Sequence, residues 1–202
     1  MGLSIHYSGK IKDHMLINEM ITEVEDICKS LKWQYQVFDT NKSKLKPGET
    51  APKYTPYDIK GISFTPEESE TAFLTFLPDG TLCSPVKLIY YDPAINDLMI
   101  EVVHTKTQFA GPDTHIAILK LLHYIKEKYF ESFKLDDEGY YWEKWDEKVL
   151  LSQFARYNFI LDKLSSALAC VKLAPGESVE SLADRIEDII KKKFGGEDMN
   201  NW

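Results

Sequence analysis

Between Gly61 and Phe109 the chain alternates short apolar segments with tight turns, and a run of that kind has few ways to fold. Gly61 to Thr65 predicts one strand. Thr71 to Leu77 and Thr81 to Val86 flank Pro78-Asp79-Gly80, where proline presets one turn residue and glycine accepts a positive φ, so they predict a hairpin. Lys87 to Tyr91 extends its second arm, Asp92-Pro93 and Asn96-Asp97 mark another turn, and Leu98 to Phe109 reads as one long strand. Strands joined by turns this short pair antiparallel, because a parallel crossover needs about a dozen residues or more.

The flanking segments add helices. Leu3 to Lys10 alternates Leu3, Ile5 and Tyr7 with Ser4, His6 and Ser8, the period of a half-buried strand. From Leu16 to Leu31, Ile17, Met20, Ile21, Val24, Ile27, Cys28 and Leu31 recur at spacings of three and four and form one apolar stripe, with Asp13 as its cap. Trp33 to Phe38 then completes a β-α-β opening. A loop covers residues 39–58, read as a mobile linker. Gly111-Pro112-Asp113 starts a second helix from Pro112 to Phe130, and Phe133 to Trp142 is the last strand. Glu147 to Leu173 and Ser178 to Phe194 form a C-terminal helical pair, the second capped by Ser178.

The expected fold class is therefore α+β: an antiparallel β-sheet with two helices packed on one face, in the order β-α-β-β-β-β-β-α-β, plus the C-terminal helical pair. Residues 1–145 make the sheet domain, and residues 146–202 pack on it as part of a single structural unit. A chain of this mass removes about 70% of its unfolded surface from water, enough for a self-sufficient core.

Charge narrows the partners. Of 24 basic residues only Arg156 and Arg185 are arginines, and the net charge is −8. Nucleic acid is gripped by neutralising phosphates and by the guanidinium fork, so neither the sign nor the residue type fits that partner. Acidity is spread over the later segments, and the Lys191-Lys192-Lys193 run suits the negative end of its helix. No apolar run approaches a membrane span. Cys28, Cys83 and Cys170 are widely spaced and form no C-x-x-C pair, which points to a reducing compartment and a cytoplasmic protein.

Motifs for nucleotide, metalloprotease, hydrolase and calcium chemistry are all missing, so no cofactor is expected. The densest polar group is His104-Thr105-Lys106-Thr107-Gln108 followed by Gly111-Pro112-Asp113-Thr114-His115. His104, Lys106 and Gln108 alternate onto one strand face, either converging on an anion or forming the wet face of the sheet. His115 lies on the row with Leu119 and Leu122, where a backbone carbonyl satisfies a half-buried imidazole more readily than catalysis uses it. His6 joins this set if the first strand neighbours the long one.

No metal site is expected. His6, His14, His104, His115 and His123 contain no i, i+4 pair, so a site would have to be assembled between distant elements. Asp136-Asp137-Glu138-Gly139 reads as turn chemistry, with supply of carboxylates to such a site or to an acid/base pair as the alternative. Tyr140, Tyr141, Trp142 and Trp145 form a candidate interface, because tyrosine and tryptophan dominate contact energetics; packing between layers is the alternative. The expected function is a non-enzymatic module acting through a protein partner or self-association. A small-molecule enzyme or anion-binding protein using residues 104–115 is the rival.

Overall fold

A computed structural model describes residues 2–39, 59–90, 98–169, 171 and 178–194. The expected loop after Asp39, the turns at Asp92-Pro93 and Asn96-Asp97, and the end of the first C-terminal helix at Leu173 lie outside the described residues. Two compact units divide the chain, residues 1–154 and 155–202, so the division falls inside that helix rather than before it.

The first unit is α+β with antiparallel sheets. Its elements run β1 (Ser4–Ile11), α1 (Ile17–Leu31), β2 (Gln34–Asp39), β3 (Lys60–Thr65), β4 (Ala72–Phe76), β5 (Leu82–Cys83), α2 (Pro85–Ile89), α3 (Leu98–Glu101), β6 (Val103–Lys106), α4 (Gly111–Tyr129), β7 (Phe130–Asp137) and α5 (Tyr141–Lys144), and α6 (Glu147–Leu168) begins in it. The strands divide into two sheets, ordered β6-β1-β7 and β2-β3-β4-β5. β1 is central and has β6 and β7 on its two edges, so β2 finds no free edge there and pairs with β3 instead. The β-α-β opening therefore spans two sheets.

Three hydrogen bonds from β1 stitch the sheets. Tyr7 of β1 donates its hydroxyl to the Phe73 carbonyl and accepts from the Phe73 amide, each at 3.0 Å. Ile11 N donates to Gly80 O (3.0 Å), tying β1 to the β4–β5 turn. That turn is the expected one, with Gly80 at φ 85° and the Asp79 carboxylate accepting from Thr81 N (3.0 Å). Ile5, Tyr7 and Ile11 of β1, Ile62 and Phe64 of β3, and Leu74 and Phe76 of β4 are buried. α1 covers β2 and β3 with Ile17, Met20, Val24 and Cys28, while α4 lies against β7. The two helices meet through Lys128, which pairs with Glu19 (2.9 Å) and Glu23. Asp13 caps the 3₁₀ turn His14–Leu16 that leads into α1.

Three expected strands change. Residues 84–89 leave the hairpin because Ser84 caps a helix with Pro85 in its first turn, the start signal that periodicity alone passed over. Leu98–Phe109 splits into α3 and a four-residue β6: Leu98, Met99 and Ile100 are consecutive apolar residues with no alternation, and pairing to β1 stops at Ser4 opposite Lys106. The last strand starts directly at the C-terminus of α4 and ends at Asp137, so Tyr140, Tyr141, Trp142 and Trp145 belong to a turn and helix.

In the second unit, α6 continues with Tyr157, Leu161 and Leu164 half-buried. α7 (Val179–Phe194) follows, its Ser178 side chain accepting from Ser181 N (3.2 Å) as expected of a cap. Among the described residues no helix is long and apolar enough to cross a membrane.

Candidate functional site

α4 carries His115 into the core on the row with Leu119 and Leu122, and the side chain is completely buried. Its partners are side chains, not the backbone carbonyl expected. Nε2 stands 2.9 Å from Asp137 Oδ1, and Nδ1 stands 2.6 Å from Thr107 Oγ1. Facing a carboxylate, Nε2 donates to Asp137, while Nδ1 shares a hydrogen bond with the Thr107 hydroxyl, which also donates to Leu3 O (3.3 Å).

Asp137 takes three further bonds. Oδ1 accepts from Gly139 N (2.7 Å), and Oδ2 accepts from Tyr141 N (2.8 Å) and Trp142 N (3.0 Å). Burial pushes the carboxyl pKa up, but the hydrogen bond and charge of His115 and the backbone amides outweigh it and hold the group below the usual carboxylate range. Hydroxyl, imidazole and carboxylate stand in the order of a nucleophilic triad. All three side chains have zero exposure, so no substrate atom reaches Thr107, and the chain of bonds fixes the strand-to-helix junction to the end of β7.

What Asp137 holds is the aromatic turn. Its three amide bonds wind the chain from β7 into α5, which is flanked by two left-handed residues, Tyr140 (φ 57°) and Trp145 (φ 50°). Tyr141 is buried, whereas Tyr140 and Trp145 are 49% and 44% exposed, the values that make this a surface rather than inter-layer packing alone. His123 of α4 meets Trp142 and Trp145 edge-on, with centroids 5.6 and 5.0 Å apart, and Lys126 lies over Trp142 and Lys144 over Tyr140. His123, 19 residues before Trp142, gave no local signal of this role.

The other candidates lie on β1, β6 and β7. β1 does neighbour β6, and His6 sits directly opposite both His104 and Asp136. The two imidazoles are 6.0 Å apart between centroids, and His6 Nε2 is 3.6 Å from Glu138 Oε1, whose Oε2 accepts from Ser4 N (2.7 Å). Burial lowers the His104 pKa, with Lys87 and His6 adding to it against Glu70. Lys106 lies over the exposed Phe109 ring. Gln108 departs from the expected face: it is buried with both side-chain polar atoms unpartnered, close beside Gly2. The expected set is thus divided, with His6, His104 and Asp136 facing solvent and Gln108 and His115 inside. Further along the sheet, Ser8, Lys10, Thr81, Glu101, Ser132 and Lys134 line a shallow cavity of about 260 Å³.

No protein-family model matches the chain, and no curated protein or solved structure matches it either.

Proposed function

We propose that the chain is a non-enzymatic protein-interaction domain whose contact surface is the aromatic turn of Tyr140, Trp142 and Trp145 with His123 beside it. The observation that carries this reading is the pair of left-handed, exposed aromatics anchored on the buried Asp137. A non-glycine residue in that backbone region carries roughly 1 kcal/mol of strain, and glycine would remove it. Retaining tyrosine and tryptophan there, half in water, favours a role for the side chains outside the fold. Aromatic rings give large contact area with few rotatable bonds, and Lys126 and Lys144 add a polar rim.

The division of His6, His104 and Asp136 from Gln108 and His115 weighs against the small-molecule rival, which needs them around one pocket. A mildly acidic chain with two arginines favours a protein rather than nucleic acid as partner. Cys28 and Cys83 are buried free thiols pushed by burial to about 11 and about 12, which suits a reducing compartment such as the cytoplasm.

The test compares the full chain with a Tyr140→Ala/Trp145→Ala variant of unchanged circular dichroism. Sedimentation reads self-association, and affinity capture from the source cell with quantitative mass spectrometry reads a partner. A self-association or partner present for the wild type and lost in the variant supports the reading. Identical sedimentation and identical captured sets overturn it.

A further inference from the structure

We infer that the cavity bounded by β1, β7, the β4–β5 turn and α3 is a binding site for a phosphate monoester of a small polyhydroxylated compound, with Lys10 and Lys134 holding the phosphate.

Strand pairing builds the floor. Ser8 stands directly opposite Lys134, and Lys10 directly opposite Ser132. Residues two apart on a strand share a face, so these four side chains form a square with the lysines on one diagonal and the serines on the other. An isolated bridge between Lys10 and Thr81 sets a third hydroxyl on the far side of Lys10, and Glu101 of α3 completes the lining. The walls come from two features of the fold. The register of β1 and β7 shifts between Lys10 and Ile11, and the bond from Ile11 N to Gly80 O brings the β4–β5 turn against the end of β1.

The polar groups of this cavity have no protein partners. Among the described residues, the side chains of Ser8, Lys10, Thr81, Glu101, Ser132 and Lys134 make neither hydrogen bond nor ion pair, although Glu101 shares the cavity with both lysines. Lys12 and Lys128, by contrast, are taken up by backbone carbonyls and by Glu19 and Glu23. Two ammonium groups at diagonal positions repel one another, and an anion seated between them replaces that repulsion with two attractions.

A phosphate monoester suits the place in charge and in acceptors. It carries about −1.5 to −2 at neutral pH, which two lysines match, and its terminal oxygens accept from ammonium and hydroxyl groups alike. A carboxylate brings a single charge and leaves one lysine unmatched. Glu101 sets the rest of the ligand: an ionised carboxylate only accepts, so the group facing it must donate, as the hydroxyls of a sugar or polyol do. The volume of about 260 Å³ falls below the range of about 300–1,000 Å³ typical of drug-sized sites, which fits a phosphorylated sugar better than a nucleotide.

The experiment titrates the full chain in a calorimeter at low ionic strength with glucose 6-phosphate, inorganic phosphate and glucose. Glucose 6-phosphate is expected to bind saturably at one equivalent and more tightly than inorganic phosphate, and glucose not to bind. Lys10→Gln and Lys134→Gln, both at exposed positions and checked for fold by circular dichroism, should each weaken the ester by about 10-fold or more. Glu101→Gln should abolish the preference for the ester over inorganic phosphate. Lys120→Gln, exposed on α4 and outside the cavity, should leave affinity unchanged. No saturable binding of the ester, equal affinity for the wild type and a Lys10→Gln/Lys134→Gln variant, or inorganic phosphate bound as tightly as the ester overturns the inference. The cavity shares no residue with the aromatic turn, so neither result bears on the proposed contact surface.

Discussion

His115 Nε2 meets Asp137 Oδ1 at 2.9 Å across 22 residues of sequence, and four elements converge on that contact. Thr107 comes from just after β6, His115 from the first turns of α4, Asp137 from the end of β7, and the amides it captures lead into α5. Replacing Asp137 with alanine strands the imidazole N–H and three backbone N–H groups inside the core. Removing one partner of a buried charged network costs about 3–5 kcal/mol. Urea denaturation of Asp137→Ala should show a loss of that order; a loss under about 1 kcal/mol would mean the amides are satisfied in some other way.

The same carboxylate sets an acid limit. Its native pKa lies below the ordinary value of 3.8, so the folded state binds fewer protons than the unfolded state in acid. Its contribution is complete above that ordinary value and is lost as pH falls through the lower native one. Wild-type stability should therefore drop steeply below about pH 4, and Asp137→Asn, already weaker at neutral pH, should drop less over the same interval. Parallel pH profiles for the two proteins would remove Asp137 from the acid transition.

Gly139 is fixed by the contact beside it. A Cβ there would lie 2.5 Å from Leu150 Cδ1 and 3.0 Å from both Asp137 Oδ1 and His115 Nε2. Gly139→Ala must push apart the pair it touches, and overpacking of this kind costs about 1–3 kcal/mol. Thermal unfolding reads that loss, and a melting temperature equal to the wild type's would show that Leu150 yields freely.

Much of the fold was legible in the sequence because local rules governed it. The stripe from Ile17 to Cys28, the Pro78-Asp79-Gly80 hairpin and the helix starting beside Pro112 needed no distant partner to be read. The division into two sheets was not legible, since it depends on which strands take the two edges of β1. Residues 84–89 carried a Ser-Pro helix start that β periodicity concealed. At the site, the acidic run does feed a turn, since the Asp137 carboxylate at the end of β7 takes the amides of Gly139, Tyr141 and Trp142, but the expected last strand runs on through that turn to Trp142 where the chain instead enters a helix. Helical spacing puts His115 on the apolar side of its helix, but no spacing rule reaches from position 115 to 137. The adjacency of His6 and His104 depends on strand order, and strand order is a tertiary fact.

Tyr7 joins the sheets through one hydroxyl with two bonds to the Phe73 backbone. Tyr7→Phe leaves the half-buried Phe73 amide and carbonyl without this partner, at a cost of about 1–3 kcal/mol. Burial pushes the Tyr7 pKa from 10.0 up to about 12, so above pH 10 the unfolded chain releases a proton that the folded chain keeps. Stability should therefore fall as pH rises between those two values, and in Tyr7→Phe this component of the decline should vanish. Equal alkaline slopes would exclude Tyr7 as its source.

Tyr140 allows strain and recognition to be separated. At φ 57° and 49% exposed, its side chain adds little to the core while its backbone sits where glycine is more comfortable. Tyr140→Gly removes the Cβ clash but adds freedom to the unfolded chain, and these terms of about 1 kcal/mol each offset one another. Stability should then stay within about 1 kcal/mol of the wild type. Tyr140→Val puts a β-branched side chain into the same backbone region and should destabilise by more. If the aromatic turn is the contact surface, both variants lose association although only one loses stability. Loss of association that follows stability across the two would instead assign Tyr140 to the fold.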